Sequence, residues 1–333
     1  MKKLREGVST GSCMTGGAEA SVIWQTTGKC PSVVKVDTPI GKTLYLDIIP
    51  REFGVCGVVK DAGDDPDVTN GSEIVTKVEL FEEEGDISFF GGEGVGTITQ
   101  EGLKIPPGQP AINPVPRQMA EKAIRKIIGN KKANVTVSIP GGKELAKKTF
   151  NPRLGIVGGI SILGTSGVVE PMSTQAILDT IRVELRQQRA LGREDVVISP
   201  GNYGLDFLKN TYHYDLDKSV KCSNFIGLTI DMAVEEGFRR LLLAGHIGKL
   251  IKVAGGIMNT HSREGDCRME LLTAFAVKCG VTSEDAAKIL SCVTTEEAVR
   301  ILDECGRRQE VMDYAMERIL FYLEKRAQGK LAI

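Results

Sequence analysis

His246 closes the apolar run LLLAG and His261 sits in the polar triplet Thr260-His261-Ser262; they are two of only three histidines in the chain. An imidazole titrates near neutrality. In such a place it can donate to a ligand oxyanion or act as acid or base, while the plainer alternative is that it caps a turn. His213, in the loop TYHYD, is the weaker candidate. A metal held by the pair lacks a third ligand at a recognisable spacing, so no metal site is expected. None of the eight cysteines forms a CxxC pair; Cys222, beside Lys221, Ser223 and Asn224, is the thiol to weigh as functional, with burial as the alternative.

The run FNPRLGIVGGISILGTSG, Phe150 to Gly167, carries glycines at 155, 158, 159, 164 and 167 among apolar residues. Glycine admits positive φ and close approach, so the run reads as a strand that ends at a binding crevice. Neither GxGxxG nor GxxxxGK[ST] fits it, and no nicotinamide or P-loop site can be read off. In open parallel sheets ligands bind outside the carboxyl ends of the strands. The residues following each predicted strand are Gly164-Thr165-Ser166-Gly167, Ser199-Pro200-Gly201-Asn202, Cys222-Ser223-Asn224 and Gly245-His246. Each alone is an ordinary turn, but four small or polar ends at equivalent positions point to a site. Earlier in the chain, KDAGDDPDVTNG sets Asp61, Asp64, Asp65 and Asp67 in one turn-rich loop. Such a loop binds a cation or a ligand donor, or is simply solvated; it lacks EF-hand spacing. GGEGVGT surrounds Glu93 with glycine, and INPVPR is a rigid turn containing Asn113 and ending in Arg117.

The elements that must position these residues fall into two patterns. Before residue 150, short strands are expected at Thr43 to Ile48, Val55 to Val59, Glu73 to Leu80, Asp86 to Phe90, Val95 to Gln100 and Asn134 to Ile139. A helix should open at Pro116 and stop at Gly129, and another should run from about Thr15 to Thr26. This predicts an α+β domain over 1–150. Strand and helix then alternate from Leu154 to Gly248, which predicts an α/β domain over 151–333 with a doubly wound, mostly parallel, Rossmann-like sheet. Its last 60 or so residues read as a helical tail, with Ser283 and Thr294 as N-caps and a closing helix from Arg308 to Gln328.

Composition narrows the class. With 41% hydrophobic and 26% charged residues and a net charge of -1 over 333 residues, nothing favours nucleic acid. MKKLREGVSTGS has positive charges but no apolar stretch behind them, and no run approaches the roughly 18 apolar residues of a membrane span. The expectation is a cytoplasmic protein with reduced thiols.

Taken in order, TGSC, KDAGDDPDVTNG, GGEGVGT, IPPGQPAINPVPR, ELAKKTFNPRLGIVGGISILGTSG, PGNYG, CSNFIG, AGHIGKL and THS closely resemble the cobalt-precorrin-5B (C1)-methyltransferase family, CbiD, from about residue 5 to residue 270. The chain departs from that pattern at Ser9-Thr10-Gly11-Ser12, where a threonine-rich turn is expected, and in a less alanine-rich helix after it. The resemblance implies methyl transfer from S-adenosylmethionine to ring carbon 1 of cobalt-precorrin-5B, giving cobalt-precorrin-6A, in the anaerobic route to cobalamin. Cobalt belongs to the substrate. On this reading Gly164, Thr165, Ser166, Gly167, Gly201, Asn202, Ser223 and Asn224 are donor-site candidates. Either the family holds the donor differently, or the ribose contact that an acidic residue usually makes falls to Asn202 or Asp206. Thr10, Lys60, Asp61, Asp64, Asp65, Glu93, Asn113, Arg117, Arg153, Lys249 and Ser262 are substrate candidates, the cations as partners of the many carboxylates, in a cleft between the two domains. His246 and His261 are the candidates for chemistry. A homo-oligomer and transient contacts with neighbouring pathway enzymes are compatible with this reading. Two competitors remain: a nicotinamide-dependent reductase of a corrin precursor, and a tetrapyrrole carrier without chemistry.

Overall fold

The computed structural model describes residues 4–149 and 151–333. Phe150, where the glycine-rich run was taken to begin, lies outside them, as do the first three residues of MKKLREGVSTGS. The chain forms two compact units, one ending at Ser173 and the other running from Thr174 to Ile333.

The first unit contains, in chain order, β1 (Gly7–Val8), α1 (Thr10–Thr27), β2 (Val33–Asp37), β3 (Thr43–Asp47), β4 (Ile49–Glu52), β5 (Val55–Val59), β6 (Glu73–Glu84), β7 (Ile87–Gly91), β8 (Thr97–Ile98), α2 (Pro114–Ile128), β9 (Lys131–Ser138), α3 (Gly142–Ala146), β10 (Ile156–Val157) and β11 (Val168–Val169). Its main sheet has the order β4-β5-β6-β9-β7, antiparallel except for the β7–β9 pair. Helix α1 starts five residues before the expected Thr15. Ser9 caps it by accepting from the Ser12 amide at 3.1 Å, so the residues that looked like a turn are its first turn. Alternation in β9, buried at Ala133, Val135 and Val137, turns one face of the sheet toward α1 and α2.

The second unit contains α4 (Thr174–Ala190), β12 (Asp195–Ser199), α5 (Asn202–Tyr212), β13 (Ser219–Lys221), α6 (Ile226–Glu235), β14 (Arg240–Leu243), α7 (Ile247–Ala254), α8 (Arg268–Lys278), α9 (Ser283–Leu290), α10 (Thr295–Glu304) and α11 (Arg308–Ala327). The three strands are parallel in the order β13-β12-β14. Val196, Ile198, Val220 and Leu241 share one core with Leu272, Leu302, Val311 and Leu323 of the later helices.

The expected doubly wound, mostly parallel, Rossmann-like sheet is therefore not formed. Strand pairing is mostly antiparallel, and the parallel sheet stops at three short strands. The run from Leu154 to Leu163, taken as the first parallel strand, contributes only β10, which pairs antiparallel with β8 in the first unit. Glycines 155 and 158, at φ +67° and +85°, interrupt it on either side of β10. The alternation read after residue 195 is real, but with three strands there are no two wound halves, and the remaining chain builds helices.

Candidate active site

The parallel sheet carries three turns to one edge. Register pairs Ser199 with Lys221 and Ile198 with Leu243. The amides of Cys222 and Ala244 extend the ladder onto β12, donating to Ser199 O at 2.9 Å and Ile198 O at 3.0 Å. Between the ends of β12 and β14 lies a cavity of about 300 Å³. One wall is Gly201, Tyr203 and Gly204; the other is His246, Gly248 and Lys249, with Arg268 and the Thr294–Glu296 turn closing it. Gly204 belongs there because a Cβ would come within 2.3 Å of the Ala244 carbonyl oxygen, so only glycine lets α5 pass the end of β14.

His246 is the N-cap of α7. Its Nδ1 accepts from the Gly248 amide at 3.2 Å, which places the ring proton on Nε2, 3.2 Å from Glu296 Oε1. The Tyr203 ring lies against it, centroids 5.2 Å apart. Glu296 is held below the usual carboxylate range first by a backbone hydrogen bond at the start of α10, then by Thr295 and neighbouring positive charge. Lys249 reaches the Pro200 carbonyl at 2.5 Å. Burial, reinforced by Lys221 and Lys252, pulls its pKa below the ordinary lysine value, and among the described residues no ion pair joins it to a carboxylate. Arg268, by contrast, is paired with Asp266 through two hydrogen bonds. The pocket is thus a partly enclosed space at the N-termini of α5, α7 and α10, with the Glu296 carboxylate turned to His246 and the Lys249 ammonium in no ion pair among the described residues, an arrangement that can receive an anionic group at Lys249.

At the end of β13, Ser223 adopts φ +52°, and its hydroxyl lies 3.1 Å from Asn224 Oδ1. Asn224 donates to Asn259 Oδ1, which also accepts from the His261 amide at 3.2 Å. His261 and Ser262 are exposed and stand outside the pocket lining. Asn202 accepts from Lys221 at 2.7 Å. Cys222 is fully buried, and burial pushes its thiol up to about 12, so it is a packing residue rather than a nucleophile.

The other candidates belong to the first unit. Thr10 Oγ1 accepts from the Leu163 amide at 2.9 Å and Ser12 Oγ donates to the Gly167 carbonyl at 2.6 Å, so the Gly164–Gly167 segment, with Thr165 and Ser166, folds against the start of α1. Gly164, at φ +141°, has no room for a side chain, since a Cβ would lie 2.3 Å from Ser9 Oγ. Asn113, the N-cap of α2, donates its amide to Ile162 O at 2.9 Å, and Arg117 donates to Ile112 O at 2.8 Å while burial lowers its pKa. The acidic loop is occupied by its own chain: Asp61 pairs with Arg5, Asp64 accepts the Arg5 amide at 2.6 Å, and Asp65 accepts the Met172 amide at 3.1 Å. Lys60 is 1% exposed and bonded to Asp67 at 2.6 Å. Glu93 and Arg153 are exposed. Gly164–Gly167 and Gly201–Asn202, read together as one donor site, are thus divided between the two units.

Residues 1–171 match the family model described as CbiD, and residues 259–333 match its C-terminal domain. A cobalt-precorrin-5B C(1)-methyltransferase of Thermoanaerobacter sp. (strain X514) is 44% identical, over 100% of this chain and 92% of its own. The protein of the same name from Methanocaldococcus jannaschii is 42% identical over 98% and 92%. The chain belongs to the CbiD family. A crystal structure of cobalamin biosynthesis protein CbiD from Archaeoglobus fulgidus is 27% identical, covers 83% of this chain and 84% of its own, and superposes with a TM-score of 0.42.

In this CbiD chain, sequence reasoning named Gly201 on one wall of the pocket and His246 and Lys249 on the other, and missed the rest of the lining. Tyr203 lay in the quoted block PGNYG without being singled out, and Thr294 was read only as a cap. Thr295, Glu296 and Arg268 come from helices distant in sequence, for which no local signal exists. Lys252, 4% exposed, was also missed; it donates to Thr260 O at 3.3 Å and Gly265 O at 2.9 Å, fixing the loop that carries His261.

Proposed function

We infer that this chain is a cobalt-precorrin-5B C(1)-methyltransferase. The observation that carries the reading is identity of about 44% along the whole chain with a relative of that name. The donor is S-adenosylmethionine, held at the Gly201–Asn202 turn. The bond between sulfur and methyl carbon breaks with its electron pair left on sulfur, and a ring π pair forms the new bond to carbon 1. S-adenosylhomocysteine leaves, and the positive charge of the sulfonium passes to the macrocycle. Such a reaction needs alignment at near-attack distance more than an activated nucleophile. Lys249 receives a peripheral carboxylate of the substrate, which its lack of a carboxylate partner among the described residues supports. Anaerobic incubation with cobalt-precorrin-5B and methyl-labelled donor should place one label on the macrocycle; a macrocycle recovered unlabelled at full enzyme loading would sink the reading.

On this reading His246 positions the turn and its neighbours. As a base it would have to surrender the Gly248 amide from Nδ1, because its other nitrogen faces Glu296. His246→Asn retains an N-cap side chain. Turnover is expected to stay within about tenfold of the parent, with an unchanged profile from pH 6 to 9. A fall of about 10²-fold together with loss of a limb near neutrality would give His246 the acid or base role instead.

A further inference from the structure

Helix α5 exposes an aromatic face that folding alone does not explain. Aromatic residues make up 5% of the chain, yet this helix of 11 residues holds Tyr203, Phe207 and Tyr212, which are 76%, 54% and 66% exposed. Tyr203 and Phe207, four apart, lie on one side of the helix, and Phe207 meets Tyr212 edge-on at 5.6 Å. Leaving such rings in water forgoes the stabilisation that burial would bring, so an exposed cluster beside a pocket marks a contact surface.

We propose that Tyr203 and Phe207 form a stacking face for the conjugated macrocycle of the substrate, which lies over the start of α5 with one carboxylate arm in the pocket. This rests on the methyltransferase reading and adds residues that neither sequence motifs nor homology assigned. Two observations select a flat polyanion over an apolar protein partner. The face is continuous with the cavity, since Tyr203 lines it and touches His246. The helix start is also flanked by cations: Lys221 bonds Asn202 at 2.7 Å, and Lys249 bonds Pro200 at 2.5 Å. Ring faces supply area for a π system, and the two ammonium groups meet its acidic periphery.

The test is anaerobic titration of the full-length protein with cobalt-precorrin-5B, followed by the visible absorption of the macrocycle, for the parent, Tyr203→Leu with Phe207→Ala, and Tyr203→Phe. The double variant should weaken macrocycle binding about 10- to 100-fold. Tyr203→Phe, which keeps the ring, should bind the macrocycle as the parent does. Both replacements are at exposed positions, and circular dichroism checks that the fold is kept. Parent-like macrocycle affinity in the double variant overturns the stacking face while leaving the function intact. A changed oligomeric state by light scattering with unchanged macrocycle affinity overturns it in favour of a protein interface. A parent that binds the macrocycle but transfers no methyl group brings down the function and spares the face.

Discussion

Asp67→Asn should be the most destabilising conservative change in the first unit, costing about 3–5 kcal/mol, because it strands the Lys60 ammonium. Lys60 is 1% exposed and donates to Asp67 Oδ2 at 2.6 Å. Asp67 itself is nearer the surface and accepts as well from the Thr69 amide at 2.7 Å and hydroxyl at 2.6 Å. Removing the carboxylate leaves a buried charge without its partner, whereas removing both charges leaves none. The double variant Lys60→Met with Asp67→Asn should therefore be more stable than Asp67→Asn alone, although it carries an extra mutation. Denaturant unfolding of the three proteins decides it, and a double variant no better than the single would mean that the pair is not what holds the loop. The same pair sets an acid limit. Burial by itself would raise the Asp67 carboxyl, but hydrogen bonds from Lys60 and Thr69 outweigh it and hold the folded value below the usual 3.8. Because the unfolded chain then binds the proton more readily, the stabilisation is complete above the ordinary carboxylate range and is lost as pH falls through the lowered folded value.

This pair also shows how far the site was legible in sequence. KDAGDDPDVTNG reads as a ligand loop or, more commonly, a solvated one, because sequence cannot tell which carboxylates are turned inward. In the fold, Asp61 and Asp64 hold Arg5, Asp65 holds the Met172 amide, and Asp67 neutralises a lysine inside the unit. Local pattern was reliable where it was local: β3 falls at the alternating run from Thr43 and α2 stops at Gly129 as expected, since neighbouring residues alone decide which face is buried and where the helix ends. It failed at Leu154 to Leu163. Glycine there permits a close crossing of backbones as readily as a ligand, and Gly159, whose Cβ would lie 2.2 Å from the Gly94 carbonyl oxygen, serves the crossing. Small residues announce that something comes near, but not what.

Lys249→Met is expected to raise KM for the macrocycle about 10- to 100-fold, the scale of a lost hydrogen bond to a charged group, while leaving the affinity for S-adenosylhomocysteine unchanged. The ammonium is half-buried, bonded to the Pro200 carbonyl and paired with no carboxylate among the described residues, so a substrate carboxylate would be its counter-ion. Lys249→Arg should recover part of the loss, since charge survives although the geometry does not. The pH profile separates this from a general loss of packing. Burial and the neighbouring Lys221 and Lys252 disfavour the charged form, so the folded pKa lies below 10.5. Raising the pH therefore removes the charge earlier than for a free lysine, and kcat/KM should fall on an alkaline limb that begins below that value. In Lys249→Arg, whose guanidinium stays protonated, the limb should vanish. An unchanged KM in Lys249→Met, or an alkaline limb that persists in the arginine variant, would place the carboxylate contact on another residue.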